Sequence, residues 1–416
     1  MAIDIFETMN DRGLTLTPAE MLKSYIISQL DKESDAVEVA TMWSSVLAPL
    51  LTGQAGRKNG DLLFIRAWLR SKHAGYGKDI EDAVAVDDFR QIGNRFNKWV
   101  RSNKDQASLE LSDPADFKHL VTSEMKIFAD HYRHLREASK VASLGEPGFK
   151  GLEPVYYNSY NSYDRQYECM LAAVSKRDDP KIANKKFRLL SAALDIYVVR
   201  LMVSGFSFEA GIVKTAMYDL ILKIRDCSLE ELGEKLRELL DDQSANLAGI
   251  RTYELTKKNH ARYLLARITA WLDHEMLYQS SVRGYLNTKL PRGYDIEHII
   301  PDSYNHHSSE FKDEADFARH RNLLASLLLL PKSINTSLGK SPYNKKLEKY
   351  GGENWLARSL TRGAYKNDTR VDKTIREFNL PLEPHDVFGK PAIEQRQDLL
   401  RSIAEEVWNP KHLLAE

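Results

Sequence analysis

Tyr294-Asp295-Ile296-Glu297-His298-Ile299-Ile300-Pro301 sets two carboxylates and an imidazole at the mouth of an apolar run that a proline closes. Alternation along a strand points Asp295 and Glu297 to one side and His298 to the other, unless the chain bends at the histidine on its way to Pro301. A bend lets a base and metal ligands converge, which suits metal-assisted hydrolysis. A solvated turn has the same composition, and the stretch alone leaves both readings open.

A second apolar run, Leu323-Leu324-Ala325-Ser326-Leu327-Leu328-Leu329-Leu330-Pro331, is followed by Lys332-Ser333-Ile334-Asn335 and then by Ser341-Pro342-Tyr343-Asn344-Lys345-Lys346-Leu347. The pattern predicts a short strand, a connecting loop, a buried strand, and a helix with Ser341 as N-cap and Pro342 at its first position. Strand, strand and helix around one metal is the HNH arrangement. The expected fold class is mainly α, a helical scaffold carrying a small ββα-metal (HNH-like) nuclease unit near the C-terminus.

The segment from about Tyr294 to Tyr350 resembles the HNH-type nuclease domain at the C-terminus of GmrSD-like, modification-dependent (type IV) restriction enzymes. That family's pattern is an acid-His-apolar-x-Pro start, a Gly-Asn-Leu-x-Leu-Leu strand, an Asn shortly after it and an aromatic-x-x-Lys end. The resemblance implies His298 as general base, Glu297 as the adjacent acidic ligand, Asn335 as the third HNH position, and Tyr343 with Lys346 as the aromatic-x-x-Lys end. The nine-residue step from Ser326 to Asn335 fits as well. One position departs: Ala325-Ser326 stands where the family has Gly-Asn, so Ser326 replaces the Asn that ties the loop across the strands. A hydroxyl still bridges backbone groups, with one donor instead of two, and the expectation is a loosened loop and reduced activity.

At the other end, Ile5-Phe6-Glu7-Thr8-Met9-Asn10-Asp11-Arg12-Gly13-Leu14-Thr15-Leu16 resembles the Phe-Glu-x-x-Asn-x-Arg-Gly motif near the end of the same family's ParB-like sensor domain. A whole domain normally precedes that motif. The expectation is a shortened chain or one half of a split gene, with a separate ParB-like nucleotide-hydrolysing sensor subunit as partner.

The chain has 416 residues, 43% of them hydrophobic, enough for two or three domains with real cores. No apolar run approaches bilayer-spanning length, and Asp4 and Glu7 stand where a signal peptide needs a basic then apolar segment, so a cytoplasmic location with no membrane partner is expected. Cys169 and Cys227 lack CxxC spacing, which argues against a zinc ribbon or disulfide framework. Formal net charge is zero, but from Arg319 to Arg370 eleven Lys or Arg face three acids, a local balance of +8. Such a segment suits a phosphate backbone; its plain alternative is a solvated helix face.

Helical signals fill the rest. Thr17-Pro18-Ala19-Glu20 has capping-box spacing ahead of Leu22, Ile26 and Leu30. Phe187, Leu190, Leu194, Tyr197 and Leu201 make one stripe, Ser228 to Glu231 opens another helix, and a third is predicted over about Asn259 to Tyr278. Gly145, Pro147, Gly148, Gly151 and Pro154 break the pattern before Tyr156, Tyr157, Tyr160 and Tyr163, a tract read as a packed loop rather than a base-stacking platform. The expected organisation is a sensor remnant with its exit helix over 1–30, helical scaffold over 31–142, a loop or boundary over 143–165, a helical domain over 166–284, and the nuclease domain with a helical extension over 285–416.

From the resemblance, catalysis is expected from His298, with Lys346 on a phosphate oxygen and Ser326 in the loop. Asp295, Glu297 and Asn335 are the expected ligands of Mg²⁺ or Mn²⁺, since oxygen donors favour these over Zn²⁺. His306-His307 is a weaker ligand pair. The implied function is a metal-dependent endonuclease or nickase acting on DNA, modified phage DNA included; the alternative is a helical adaptor whose nuclease fold has weakened and now binds DNA or a partner.

Overall fold

The computed structural model describes residues 16–52, 56, 58–241, 246–291, 293–366 and 369–414; all but Leu16 of the N-terminal motif lies outside them. The chain is mainly α-helical and divides into two compact units. One comprises the described residues up to Leu194 with Phe208–Asp241, the other Asp195–Ser207 with the described residues from 246 onward.

The first unit contains helices α1 (Pro18–Ile27), α2 (Glu33–Leu51), α3 (Gly60–Lys72), α4 (Ala83–Ser102), α5 (Lys126–Ala138), α6 (Glu153–Tyr160), α7 (Gln166–Ala173), the first part of α8 (Pro180–Val203), α9 (Gly211–Ile224) and α10 (Leu229–Asp241). Local chemistry sets several starts. The Glu20 amide donates to Thr17 Oγ1 while Glu20 Oε2 accepts from the Thr17 amide at 2.7 Å, and Ser228 and Glu231 do the same for α10. The C-terminal turn of α3 is closed by Arg225, which donates to the Ser71 and Ala74 carbonyls at 2.8 Å. The tyrosine-rich tract read as loop contains α6, because Pro154 falls in its first turn, where a missing amide proton costs nothing. Tyr157 and Tyr163 are buried.

In the second unit α11 (Lys258–Glu275) is the central helix, burying Tyr263, Leu264, Leu265, Ile268 and Leu272. Asp195 accepts from Tyr263 Oη, Arg267 Nη1 at 2.7 Å and Trp408 Nε1 at 3.1 Å, tying the end of α8 to α11 and the C-terminal segment. β1 (Tyr294–His298), α12 (Glu314–Arg321), β2 (Leu327–Pro331), α13 (Lys332–Leu338), α14 (Tyr343–Tyr350), α15 (Thr369–Phe378) and α16 (Lys390–Val407) follow. Strand–connection–strand–helix order is therefore present, with α13 directly after β2. α14 starts at Tyr343, one residue later than predicted, because Pro342 keeps an extended backbone at the N-cap.

β1 and β2 form a two-stranded antiparallel sheet with Asp295 opposite Leu330 and Glu297 opposite Leu328. Four successive leucines of β2 are fully buried, as expected of a strand covered on both faces. Leu328→Ala is expected to destabilise the second unit by about 2–5 kcal/mol, because the site cannot collapse fully around the lost atoms; chemical denaturation followed by tryptophan fluorescence measures it.

Candidate active site

The geometry follows from one feature of the sheet. Lys332 donates to Gly293 and Ile299 donates to Ser326, so the bonded pairs fall at Asp295/Leu330 and Glu297/Leu328, and the amides of Tyr294, Ile296 and His298 face away from β2. Side chains take over the bonds a third strand would make. Arg262 Nη1 donates to the Tyr294 carbonyl at 2.8 Å, Asn335 Nδ2 to that of Ile296 at 3.4 Å, and Lys346 Nζ to that of His298 at 2.6 Å. The Ile296 amide donates to Asp295 Oδ1 at 2.9 Å.

The residues expected as metal ligands are thus engaged along this edge. Asp295 Oδ1 also accepts from Arg262 Nη2 at 2.8 Å. Burial pushes the Asp295 carboxyl up, but the Ile296 amide and Arg262 outweigh it and hold it below its ordinary range. Glu297 is buried; its Oε1 accepts from Lys346 Nζ at 2.6 Å and Tyr350 Oη at 3.1 Å. Lys346 is only 1% exposed, so its ammonium holds Glu297 and His298 rather than facing a phosphate; burial depresses its pKa against the pull of Glu297. Among the described residues no group of three or more His, Cys, Asp or Glu side chains is arranged to hold a metal ion. Asp295 and Glu297 each carry a cationic side chain on one oxygen, which weakens the set Asp295, Glu297 and Asn335 as a cation site.

His298 lies on the other pleat from Asp295 and Glu297, as strand alternation requires. Its Nε2 is 3.0 Å from Asn322 Oδ1, so Nε2 carries the proton and Nδ1 keeps its lone pair in the neutral ring. Burial first, then the Arg321 guanidinium, lowers the His298 pKa to about 4. Arg321 Nε donates to the Ile300 carbonyl at 3.1 Å, and Asp302 lies 4.0 Å from that nitrogen.

Asn322 and Arg321 escaped the reading of motifs, because neither occupies a motif position; the signal available was their place just before the second apolar run. Their backbone is well held. Asn322 caps α12 and its carbonyl accepts from Leu255, while Leu324 donates to the Tyr253 carbonyl at 2.8 Å. Ser326 is fully buried and its Oγ donates to the His320 carbonyl at 2.7 Å, and Arg396 Nε donates to the Ala325 carbonyl at 2.8 Å. The serine therefore bridges backbone within the turn.

His306 pairs with Ser303 Oγ at 3.0 Å, and His307 stacks on Phe317 beside Glu310, so the two rings serve different neighbours. Much of the basic segment is paired internally: Arg319 with Asp316, Lys345 with Glu348, Arg362 with Asp386 and Arg370 with Glu275. Lys340 and Lys349 remain exposed.

The candidate site is thus a strand pair followed by a helix, with the His298 imidazole at the end of the first strand. Residues 240–403 match the family of GmrSD restriction endonucleases, C-terminal domain, and this part of the chain is a GmrSD-like C-terminal region. The members of that family are restriction endonucleases. No curated protein matches the chain. Among the described residues no helix is long and apolar enough to cross a membrane.

Two outcomes test the site's physics. Lys346→Met alone is expected to cost about 3–5 kcal/mol by stranding Glu297, and adding Glu297→Gln should recover much of it, measured by denaturant unfolding of both variants. His298 should stay neutral down to about pH 4 in an NMR titration. Its folded pKa lies below the ordinary 6.5, so the unfolded chain protonates first as pH falls. The associated stability is complete above that value and is lost towards pH 4; His298→Gln should flatten this part of the stability profile.

Proposed function

We propose that the C-terminal unit hydrolyses phosphodiester bonds in DNA with His298 as general base. The observation that carries this reading is the ring itself: neutral at physiological pH, tethered through Nε2 by Asn322, and with Nδ1 left to accept a proton from water. Arg321 supplies positive charge beside it. Its Nε is anchored on Ile300, and among the described residues its terminal nitrogens carry no hydrogen bond, leaving the fork for a phosphate. Asn322 acts through His298 and is a positioning residue.

Dependence on Mg²⁺ or Mn²⁺ and a preference for modified DNA belong to the proposal. Arg262 and Lys346 each occupy one oxygen of Asp295 and Glu297, so a cation at these residues would share the carboxylates with them, and no step is routed through a cation here. The ion pairs at these carboxylates are also what favours a second reading, an adaptor that binds DNA without cutting it.

Nicking of supercoiled plasmid, modified and unmodified, in Mg²⁺, Mn²⁺ or EDTA separates the readings. His298→Ala is expected to slow cleavage by roughly 10²–10⁴-fold and Arg321→Gln by roughly 10²-fold. Equal cleavage by the parent and His298→Ala removes His298 as the base. Binding of DNA with no cleavage in any condition favours the adaptor.

A further inference from the structure

The first unit contains a cavity of about 410 Å³ whose chemistry the nuclease reading does not use. That volume lies within the range of small-molecule sites. Three arginines line it: Arg66 and Arg70 from α3, and Arg165 just before α7. Phe208, Leu63 and Tyr163 supply an apolar wall, with Tyr163 and Phe208 in edge-to-face contact at 5.4 Å.

Arg70 is fully committed in position, donating to the Phe89 carbonyl at 2.9 Å and to Glu168 Oε1 at 2.7 Å. Arg66 Nε and both Nε and Nη1 of Arg165 are buried without an acceptor. Beside these three donors Glu168 Oε2 is a buried acceptor without a hydrogen bond. Arg66 carries no ion pair among the described residues.

The acids around the cavity face Arg70 and Arg165 rather than Arg66. Glu168 is held by Arg70 at 2.7 Å and Glu209 by Lys214 at 2.7 Å, and both also lie 3.8 Å from Arg165, where burial lowers the pKa but they and Tyr218 outweigh it and raise it. Burial, and then the like charge of Arg70, depress the Arg66 pKa, consistent with a guanidinium that no carboxylate balances. Each buried donor left unmade costs roughly 1–3 kcal/mol, and folded proteins normally pair such groups.

We propose that this cavity is a binding site for a small phosphate monoester carried on a flat ring, of the mononucleotide class. The phosphate oxygens accept from Arg66 and Arg165, which present planar forks suited to them. The ring lies against Phe208, Leu63 and Tyr163.

Isothermal titration calorimetry on the full chain tests this, with adenosine monophosphate, inorganic phosphate and adenosine as probes. Expected is saturable binding of adenosine monophosphate, weaker binding of phosphate, and binding of adenosine at least about tenfold weaker than that of the nucleotide. Arg66→Gln and Arg165→Gln should each weaken nucleotide binding by about tenfold or more, while far-UV circular dichroism and Tm confirm that they fold. Phe208→Ala should weaken the nucleotide more than phosphate. The proposal is overturned if neither anion binds at millimolar concentration, if binding is unchanged in both folded arginine variants, or if adenosine binds as well as its phosphate.

Discussion

A five-residue strand with one neighbour has to satisfy its outward amides without a third strand, and much of the C-terminal unit is arranged around that need. The carbonyls of Tyr294, Ile296 and His298 would otherwise be stranded in a partly buried setting, where an unpaired polar group costs as much as a lost hydrogen bond. Arg262, Asn335 and Lys346 each supply one donor, from α11, α13 and α14 respectively. Asn354 does the same for β2, donating to the Leu329 carbonyl at 2.7 Å. The edge is closed to other strands, which also removes an aggregation template.

This edge explains where chemistry can occur. Once Lys346 reaches the His298 carbonyl it is buried, and a buried ammonium needs a counter-charge; Glu297, on the same side, provides it. Asp295 is drawn to Arg262 in the same way. The imidazole of His298 is left on the opposite pleat, away from the acids that flank it in sequence. Its environment comes instead from the turn between α12 and β2, which brings Asn322 and Arg321 to it.

That turn is held by several independent bonds: Ser326 on His320, Arg396 on Ala325, and the backbone of Tyr253 and Leu255 on Leu324 and Asn322. Arg396 is fully buried, and burial lowers its pKa to about 10. A charge is placed behind a leucine-rich strand because carbonyls of the turns need a donor there. The first unit shows the opposite balance. Around one cavity guanidinium nitrogens of Arg66 and Arg165 are buried without an acceptor, and it is these unmade hydrogen bonds, rather than net charge, that distinguish the pocket.

Much was determined by sequence alone. The helical character, the capping boxes at Thr17 and Ser228, the core stripe of α8 and the strand–strand–helix order come from periodicity and local hydrogen bonding, which act over a few residues. The place of His298 at the end of the first strand was legible too. What only tertiary structure decided is what each polar side chain faces. Lys346 and Glu297 meet across 49 positions, His298 and Asn322 across 24, and Arg70 and Glu168 across 98. Such pairs are set by which carbonyls and charges packing leaves unsatisfied, and no local pattern encodes that.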